Sequence, residues 1–330
     1  MIKANFILLL TLILLNACST DTGQAYSFES RCMGVDFRIV LYAHSAKQAE
    51  KAADRAFERI NQLNDMMSDY KSDSELWKLS ESSGKNTPVK VSDELWSVMK
   101  ASQKLHELSG GAFDVSAGPF ILLWRQARWT KSFPRQRSLE RAFAKSGMDK
   151  VEFDDKTQRI LLKASAMRLD LGGIAKGYAA DQALAVLKRN GIEYALVDGS
   201  GDMVMTDHPA GNWAVYISGS KEKSEELLNL KSGAIATSGD TQQFVEIDGK
   251  RYSHIIDPRS GLALENRLRV SVLAADCQTA DSLASTVSVL GPQKGLELIE
   301  SLKKCEALIV HIDKGRKVYY KSSGFPEFIK

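Results

Sequence analysis

Residues 168–181, reading RLDLGGIAKGYAAD, constrain the fold more than any other stretch of the chain. The approach to them, LLKASAMRLDL from Leu161, alternates like a strand, and Gly172-Gly173 breaks the alternation. From Ile174 onwards the apolar residues Tyr178, Ala179, Ala183, Leu184 and Leu187 recur at helical spacing as far as Lys188. The reading is a strand that delivers the Asp170 carboxylate, a two-glycine corner, and a helix. Free N–H groups at a helix start favour anions, and glycines let a ligand come close to the backbone. Lys176 adds a full positive charge beside that corner. Phosphate binding is the functional reading; an ordinary strand–glycine–helix connection with a surface lysine is the structural one.

The first eighteen residues, MIKANFILLLTLILLNAC, have a short n-region with Lys3, an apolar run from Phe6 to Leu15 and a small-residue exit. That is an export signal, too short and wrongly flanked for a spanning helix. The ending Leu15-Asn16-Ala17-Cys18 looks like a bacterial lipobox, in which Cys18 is lipid-modified and becomes the mature N-terminus. Residues 1–17 are therefore expected to be a lipoprotein signal peptide and 18–25 the lipidated cysteine with a polar tether. The expected home is the bacterial cell envelope, facing the periplasm and anchored by lipid, in the inner or the outer membrane.

About 310 residues remain after the signal, read here as one domain over 26–330. A formal net charge of +3 on a chain that is 26% charged gives no nucleic-acid signature. Cys32, Cys277 and Cys305 are widely spaced and form no CxxC, which argues against a disulfide framework and a zinc site and for buried thiols.

Residues 26–43 alternate enough for an edge or hairpin strand, and 45–67 read as a helix with Ser45 as N-cap. A second helix is expected over 91–108, stopped by Ser109-Gly110-Gly111. Gly118-Pro119 is read as a turn, residues 124–141 as exposed helix and loop, and 151–170 as a strand pair. Further strands are expected over 194–205, 213–218, 245–256 with a turn at Asp248-Gly249, and 269–275. A helix over 277–290 and a hairpin around Asp313-Lys314-Gly315 close the chain. Helices and antiparallel hairpins mix without βαβ alternation. The expected class is α+β, with mixed, largely antiparallel sheets and packed helices.

Asp281 and Ser285 are an i, i+4 pair and can present two oxygens to one hard cation; a solvated helix face is the alternative. His254 precedes the turn Asp257-Pro258-Arg259-Ser260-Gly261, and histidine is the commonest general acid/base. Residues 237–240, Thr-Ser-Gly-Asp, form either a hydroxyl-and-amide cradle or a plain turn. Asp114 stands between aromatic and small residues, where it is either a helix cap or a ligand contact.

The segments MGVDFRIVLY, MSDYKSDSEL, GGAFDVSAGP, LDLGGIAKGYAAD, AIATSGD, YSHIIDPRSG and ADSLASTVSVLG occur in the order and rough spacing of the ApbE family. The chain resembles that family of FAD:protein FMN transferases from about Met33 to Gly291. The resemblance implies an ApbE-like fold and FAD bound across these segments. Met33 and Tyr70 would contact the flavin end, and Ala112, Phe113 and Asp114 would line the same cleft. Asp170 and Lys176 would contact the dinucleotide, and the backbone near Ile255 would complete the site. A metal, Mg²⁺ with Ca²⁺ or Mn²⁺ as possible substitutes, would be held by the Gly173 carbonyl, Asp281 and the Ser285 hydroxyl. Family members often have threonine at the Ser285 position; serine keeps the hydroxyl.

The implied reaction splits FAD, moves FMN to a threonine or serine hydroxyl of a target protein and releases AMP. Lys176 would stabilise phosphate charge; His254 is the candidate base and Asp257 the weaker candidate. The implied acceptors are flavin-carrying subunits of membrane redox complexes, such as sodium-pumping NADH:quinone reductase or its relatives. A periplasmic FAD pyrophosphatase and a non-catalytic FAD-binding lipoprotein are the competing readings.

Overall fold

The computed structural model describes residues 22–217, 226–239, 244–313 and 316–329. The expected signal peptide, Cys18, residues 19–21 of the tether, Ser218, Asp240 and Lys314-Gly315 lie outside the described residues, and the tether's last two residues, Gln24 and Ala25, belong to the first strand.

Strands β1 (Gln24–Cys32) and β2 (Val35–Ala43) make a hairpin, the second of the two readings of this stretch, turning on Met33 and Gly34 at φ 52° and 79°. Helix α1 (Ala46–Met67) starts where the Ser45 hydroxyl accepts the Gln48 N–H, and its row Ala49, Ala52, Ala56, Ile60 and Leu63 is buried. A short helix, α2 (Glu75–Glu81), is capped by Ser74. After β3 (Val89–Lys90) comes α3 (Asp93–Leu108), capped by Ser92 and closed by left-handed Gly110 and Gly111.

Gly118-Pro119 does not turn the chain but opens α4 (Gly118–Thr130), because proline suits the first helical turn, where its missing N–H has no partner to lose. Helix α5 (Gln136–Ala144) follows. The basic segment is thus helix and loop as expected, yet Trp124, Ala127 and Leu139 are buried in it. Trp124 donates its indole N–H to the Gly261 carbonyl at 2.9 Å.

Strands β4 (Val151–Asp154) and β5 (Arg159–Leu162) form a hairpin, but the strand expected to run on through Asp170 stops at Leu162. Beyond it Met167, Leu169 and Leu171 are buried in strict alternation without any ladder. The Asp170 N–H goes to the Val115 carbonyl at 2.8 Å and the Leu169 N–H to the Ser80 hydroxyl at 3.2 Å. Period-two burial comes from packing between α2 and the loop that leads to α4, which the residue pattern does not distinguish from a sheet.

Helix α6 (Ala175–Arg189) leads to β6 (Ala195–Gly199) and β7 (Asp202–Met205), then β8 (Trp213–Tyr216) and β9 (Leu227–Leu230). Strand β10 (Gly233–Gly239) precedes the hairpin β11 (Phe244–Ile247) and β12 (Lys250–Ser253), which turns on Asp248 and Gly249 at positive φ. Strands β13 (Ile256–Asp257) and β14 (Leu262–Ala263) flank the Asp257–Gly261 turn. After β15 (Leu268–Ala274), α7 (Cys277–Ser301) runs past the expected end at Leu290, bending where Gly291 takes φ 77° before Pro292. Strands β16 (Glu306–Asp313) and β17 (Arg316–Lys321) finish the chain.

Eight strands make one sheet in the order β1-β2-β6-β7-β10-β15-β16-β17, with every neighbouring pair antiparallel. The α+β expectation holds. Helices α1, α6 and α7 cover one face: Ala234 and Ala236 of β10 join their core, while Ile235 between them joins the core on the opposite face with Trp213 and Leu228. A third core holds α4 and α5 against β11–β14. Cys32, Cys277 and Cys305 are free and buried, as read. Among the described residues no helix is long and apolar enough to cross a membrane.

Candidate active site

Helices α6 and α7 cross at the point where the glycine corner meets the sheet. Gly177 makes that crossing possible: a Cβ there would lie 2.2 Å from the Cys277 carbonyl oxygen. The close approach lets the Gly177 N–H, one of the free donors of the first turn of α6, reach the Asp281 carboxylate at 3.1 Å. One turn along α7, the Ser285 hydroxyl is 3.2 Å from that of Ser238 on β10. Gly173 packs against both Ser285 and Phe113, since a Cβ on it would come 3.2 Å from Ser285 Oγ and 3.4 Å from the Phe113 ring. Gly173, Phe113, Ser238, Asp281 and Ser285 are therefore neighbours, although they come from four separate parts of the chain.

Lys176 pairs with Asp202, which opens β7. Burial alone would lower the lysine pKa, but Asp202 and then Asp281 outweigh it and hold the ammonium charged. Both carboxyls are raised above the usual carboxylate range, chiefly by burial. The result is a cation and two buried acids at a helix N-terminus. Asp181, one turn further along α6, accepts the Cys277 and Gln278 N–H groups at 2.8 and 2.9 Å and so caps α7. Burial pushes its pKa up to about 6.

On the other side of the corner, the Asp170 carboxylate accepts the Gly172 N–H at 2.8 Å and pairs with Arg125 of α4 at 2.9 Å. Arg125 also pairs with Asp69, and its guanidinium lies 4.3 Å from the centre of the Tyr70 ring. Burial and then the Asp69 charge push the Asp170 pKa up to about 6, against the pull of Arg125. Tyr70 and Asp170, a hundred positions apart, thus meet through an arginine that the sequence reading passed over. Nothing in the sequence around Arg125 marks it out from Arg128, the other basic residue of α4.

Asp114 accepts from the Ser116 N–H and hydroxyl at 2.7 and 2.6 Å, shaping the loop into α4, and stands 3.6 Å from His106. Ala112 and Phe113 beside it are buried. Gly111 lies between His106 and Arg259, so the Asp257–Gly261 turn reaches this loop. Both Asp257 oxygens are taken by Arg259 at 2.9 Å. His254 is exposed between β12 and β13, and the Ile255 N–H goes to the Ser253 hydroxyl at 3.1 Å. Met33 is half-buried at the β1–β2 tip.

The sequence profile of the ApbE family matches residues 33–309. The chain belongs to the ApbE family. Among its relatives, the FAD:protein FMN transferase of Vibrio cholerae is 31% identical, aligned over 96% of this chain and 97% of its own. That of Klebsiella pneumoniae is 28% identical over 87% and 90%. The crystal structure of the ApbE protein from Thermotoga maritima superposes with a TM-score of 0.80 at 28% identity, covering 91% of this chain and 97% of that one. The Vibrio cholerae flavin transferase ApbE gives 0.78 at 29% identity, covering 93% and 100%.

Proposed function

We propose that this ApbE-family chain transfers the FMN part of FAD to a threonine or serine hydroxyl of a flavoprotein acceptor, with Mg²⁺, releasing AMP. The observation that carries the reading is the Lys176 ammonium at the α6 N-terminus, beside Asp281, Ser285 and Gly173. A pyrophosphate needs positive charge and a close approach to the backbone, and the Lys176 ammonium and the Gly172-Gly173 corner offer these.

The donor set fits a hard cation. Asp281, the Ser285 hydroxyl and the Gly173 carbonyl are all oxygen donors, the kind that suits such a cation. When bound, Mg²⁺ would neutralise charge on the phosphate oxygens. Lys176 adds to that neutralisation, held in place by Asp202. The acceptor oxygen attacks the FMN phosphorus, the bond to the AMP phosphate oxygen breaks, and the acceptor proton passes to a base. His254 is that base in our reading, because Arg259 already occupies both oxygens of the other candidate, Asp257.

The enzyme would work at the periplasmic side of the envelope, anchored through Cys18, on flavin-carrying subunits of membrane redox complexes. The support for the anchor is the sequence of residues 1–18 alone.

The test mixes the protein with FAD, Mg²⁺ and such a subunit and looks for flavin fluorescence on the acceptor band of a denaturing gel. A fluorescent band abolished by EDTA is expected. His254→Ala should keep FAD binding and lose about a hundredfold or more in transfer. Equal transfer by that variant removes His254 from the mechanism, and free FMN with AMP in place of a labelled band makes the enzyme a pyrophosphatase.

A further inference from the structure

Helix α4 has two unlike faces. Phe120, Trp124 and Ala127 point into the core shared with β11–β14, whereas Leu122, Arg125 and Trp129 form a row on the outside. Trp129 is 89% exposed, the highest value among the exposed large hydrophobic side chains described, Leu122 is 50% exposed, and Phe133 adds a further exposed ring. A tryptophan left in water at that level is a contact residue awaiting a surface.

The charge around the row says what kind of surface. Residues 124–145 carry five arginines and two lysines against one acid, Glu140. Lys131, Arg135, Arg137 and Arg141 are exposed and take no acidic partner among the described residues. Such a group of cations, without a counter-charge among the described residues, suits an acidic partner.

Its position says which partner. Arg125 belongs to the outer row, and the same guanidinium holds Asp170 and lies against Tyr70, which is 72% exposed. The row therefore continues directly into the rim of the candidate active site.

We propose that the outer face of α4, with the start of α5, is the docking surface for the acceptor protein, which presents an acidic patch and an apolar pocket for Trp129 beside its target hydroxyl. The identity of the partner as acceptor rests on the transferase reading; the acidic, apolar character of what docks does not. Tryptophan and arginine would supply most of the contact energy, and the surrounding cations would steer encounter and weaken with salt.

The test uses the full chain in detergent and two labelled synthetic peptides, each with a central threonine and a leucine. One is flanked by Asp and Glu, the other by Lys and Arg. Fluorescence anisotropy should show salt-sensitive binding of the acidic peptide alone. Trp129→Ser, and separately Arg135→Glu with Arg137→Glu, should weaken it about tenfold or more while the affinity for FAD stays unchanged. These positions are exposed, and acids near the α5 N-terminus suit its dipole, so the fold should survive both changes. Equal binding of the two peptides, or variants that bind the acidic one as before, overturns the proposal. So does Trp129 emission that shifts to the blue only on vesicles rich in anionic lipid, which would make the face a membrane contact. Transfer is followed in the same samples: acidic-peptide binding without any flavin transfer by the parent protein defeats the transferase reading and leaves the docking face standing.

Discussion

Lys176 and Asp202 form an ion pair over the first turn of α6, and Asp281 of α7 stands close enough to influence both. The lysine is the counter-charge for two acids that are each only 2% exposed. Lys176→Met keeps the stem of the side chain and removes the charge. Flavin transfer should fall by about a hundredfold or more, since one positive group at a developing phosphate charge is commonly worth that. Removing one partner of a buried pair costs about 3–5 kcal/mol when the other stays charged. In the variant both carboxyls are still more reluctant to ionise, so the folded state holds protons that the unfolded state releases. Its stability must therefore fall as pH rises and recover in acid. Thermal unfolding from pH 5 to 8 checks this; a deficit independent of pH would mean that Lys176 matters only for packing.

Asp181 gives a cleaner titration, because its partners are two backbone N–H groups. Its pKa of about 6 in the fold exceeds the ordinary aspartate value, so the folded state binds the extra proton between about pH 4 and 6. Stability contributed by that proton is present below this window and lost on rising through it. Asp181→Asn cannot titrate. Relative to the parent it should become more stable on going from pH 4 to pH 7, by up to about 3 kcal/mol. Parallel curves of unfolding free energy for the two proteins would contradict the assignment.

Ser285 tests the metal reading. Its hydroxyl shares a hydrogen bond with Ser238 and lies against Gly173. Ser285→Thr keeps the oxygen and should keep activity. Ser285→Ala removes it and should raise the Mg²⁺ concentration needed for half-maximal transfer by about tenfold or more. Titrating transfer with Mg²⁺ for both variants decides the matter, and an unchanged requirement in Ser285→Ala would take the residue out of the ligand set.

Much of this architecture is legible in the chain because it is local. Ser45 and Ser92 cap helices within three residues of themselves, and Asp248-Gly249 turns a hairpin by its own backbone preference. The glycine corner and the start of α6 are legible for the same reason. Arg125 was not, because its meaning lies in Asp69, Tyr70 and Asp170, none of them near it in sequence. Asp202 follows Gly199-Ser200-Gly201 within the expected strand region, and only the return of β7 alongside α6 makes it the partner of Lys176. The alternation before Asp170 misled for a related reason, since packing between α2 and the loop that leads to α4 imposes the same period as a sheet.

Gly177 sets two physical effects against each other. Within a helix, Gly→Ala ordinarily stabilises by about 1 kcal/mol, through lower backbone entropy in the unfolded chain. Here the new Cβ would stand 2.2 Å from the Cys277 carbonyl oxygen and 2.9 Å from Asp281 Cβ, so α6 and α7 would have to separate. Backbone cannot give way as a flexible side-chain end can, and overpacking of this kind costs about 1–3 kcal/mol. The clash should win, and Gly177→Ala should lower the unfolding temperature. Separation would also stretch the bond from the Gly177 N–H to Asp281, drawing that carboxylate away from Lys176 and Ser285. Flavin transfer should therefore fall further than the loss of folded protein explains. Unfolding temperature and transfer rate measured on the same preparation test both halves. A variant more stable than its parent would show that the two helices are not held as closely as Gly177 requires.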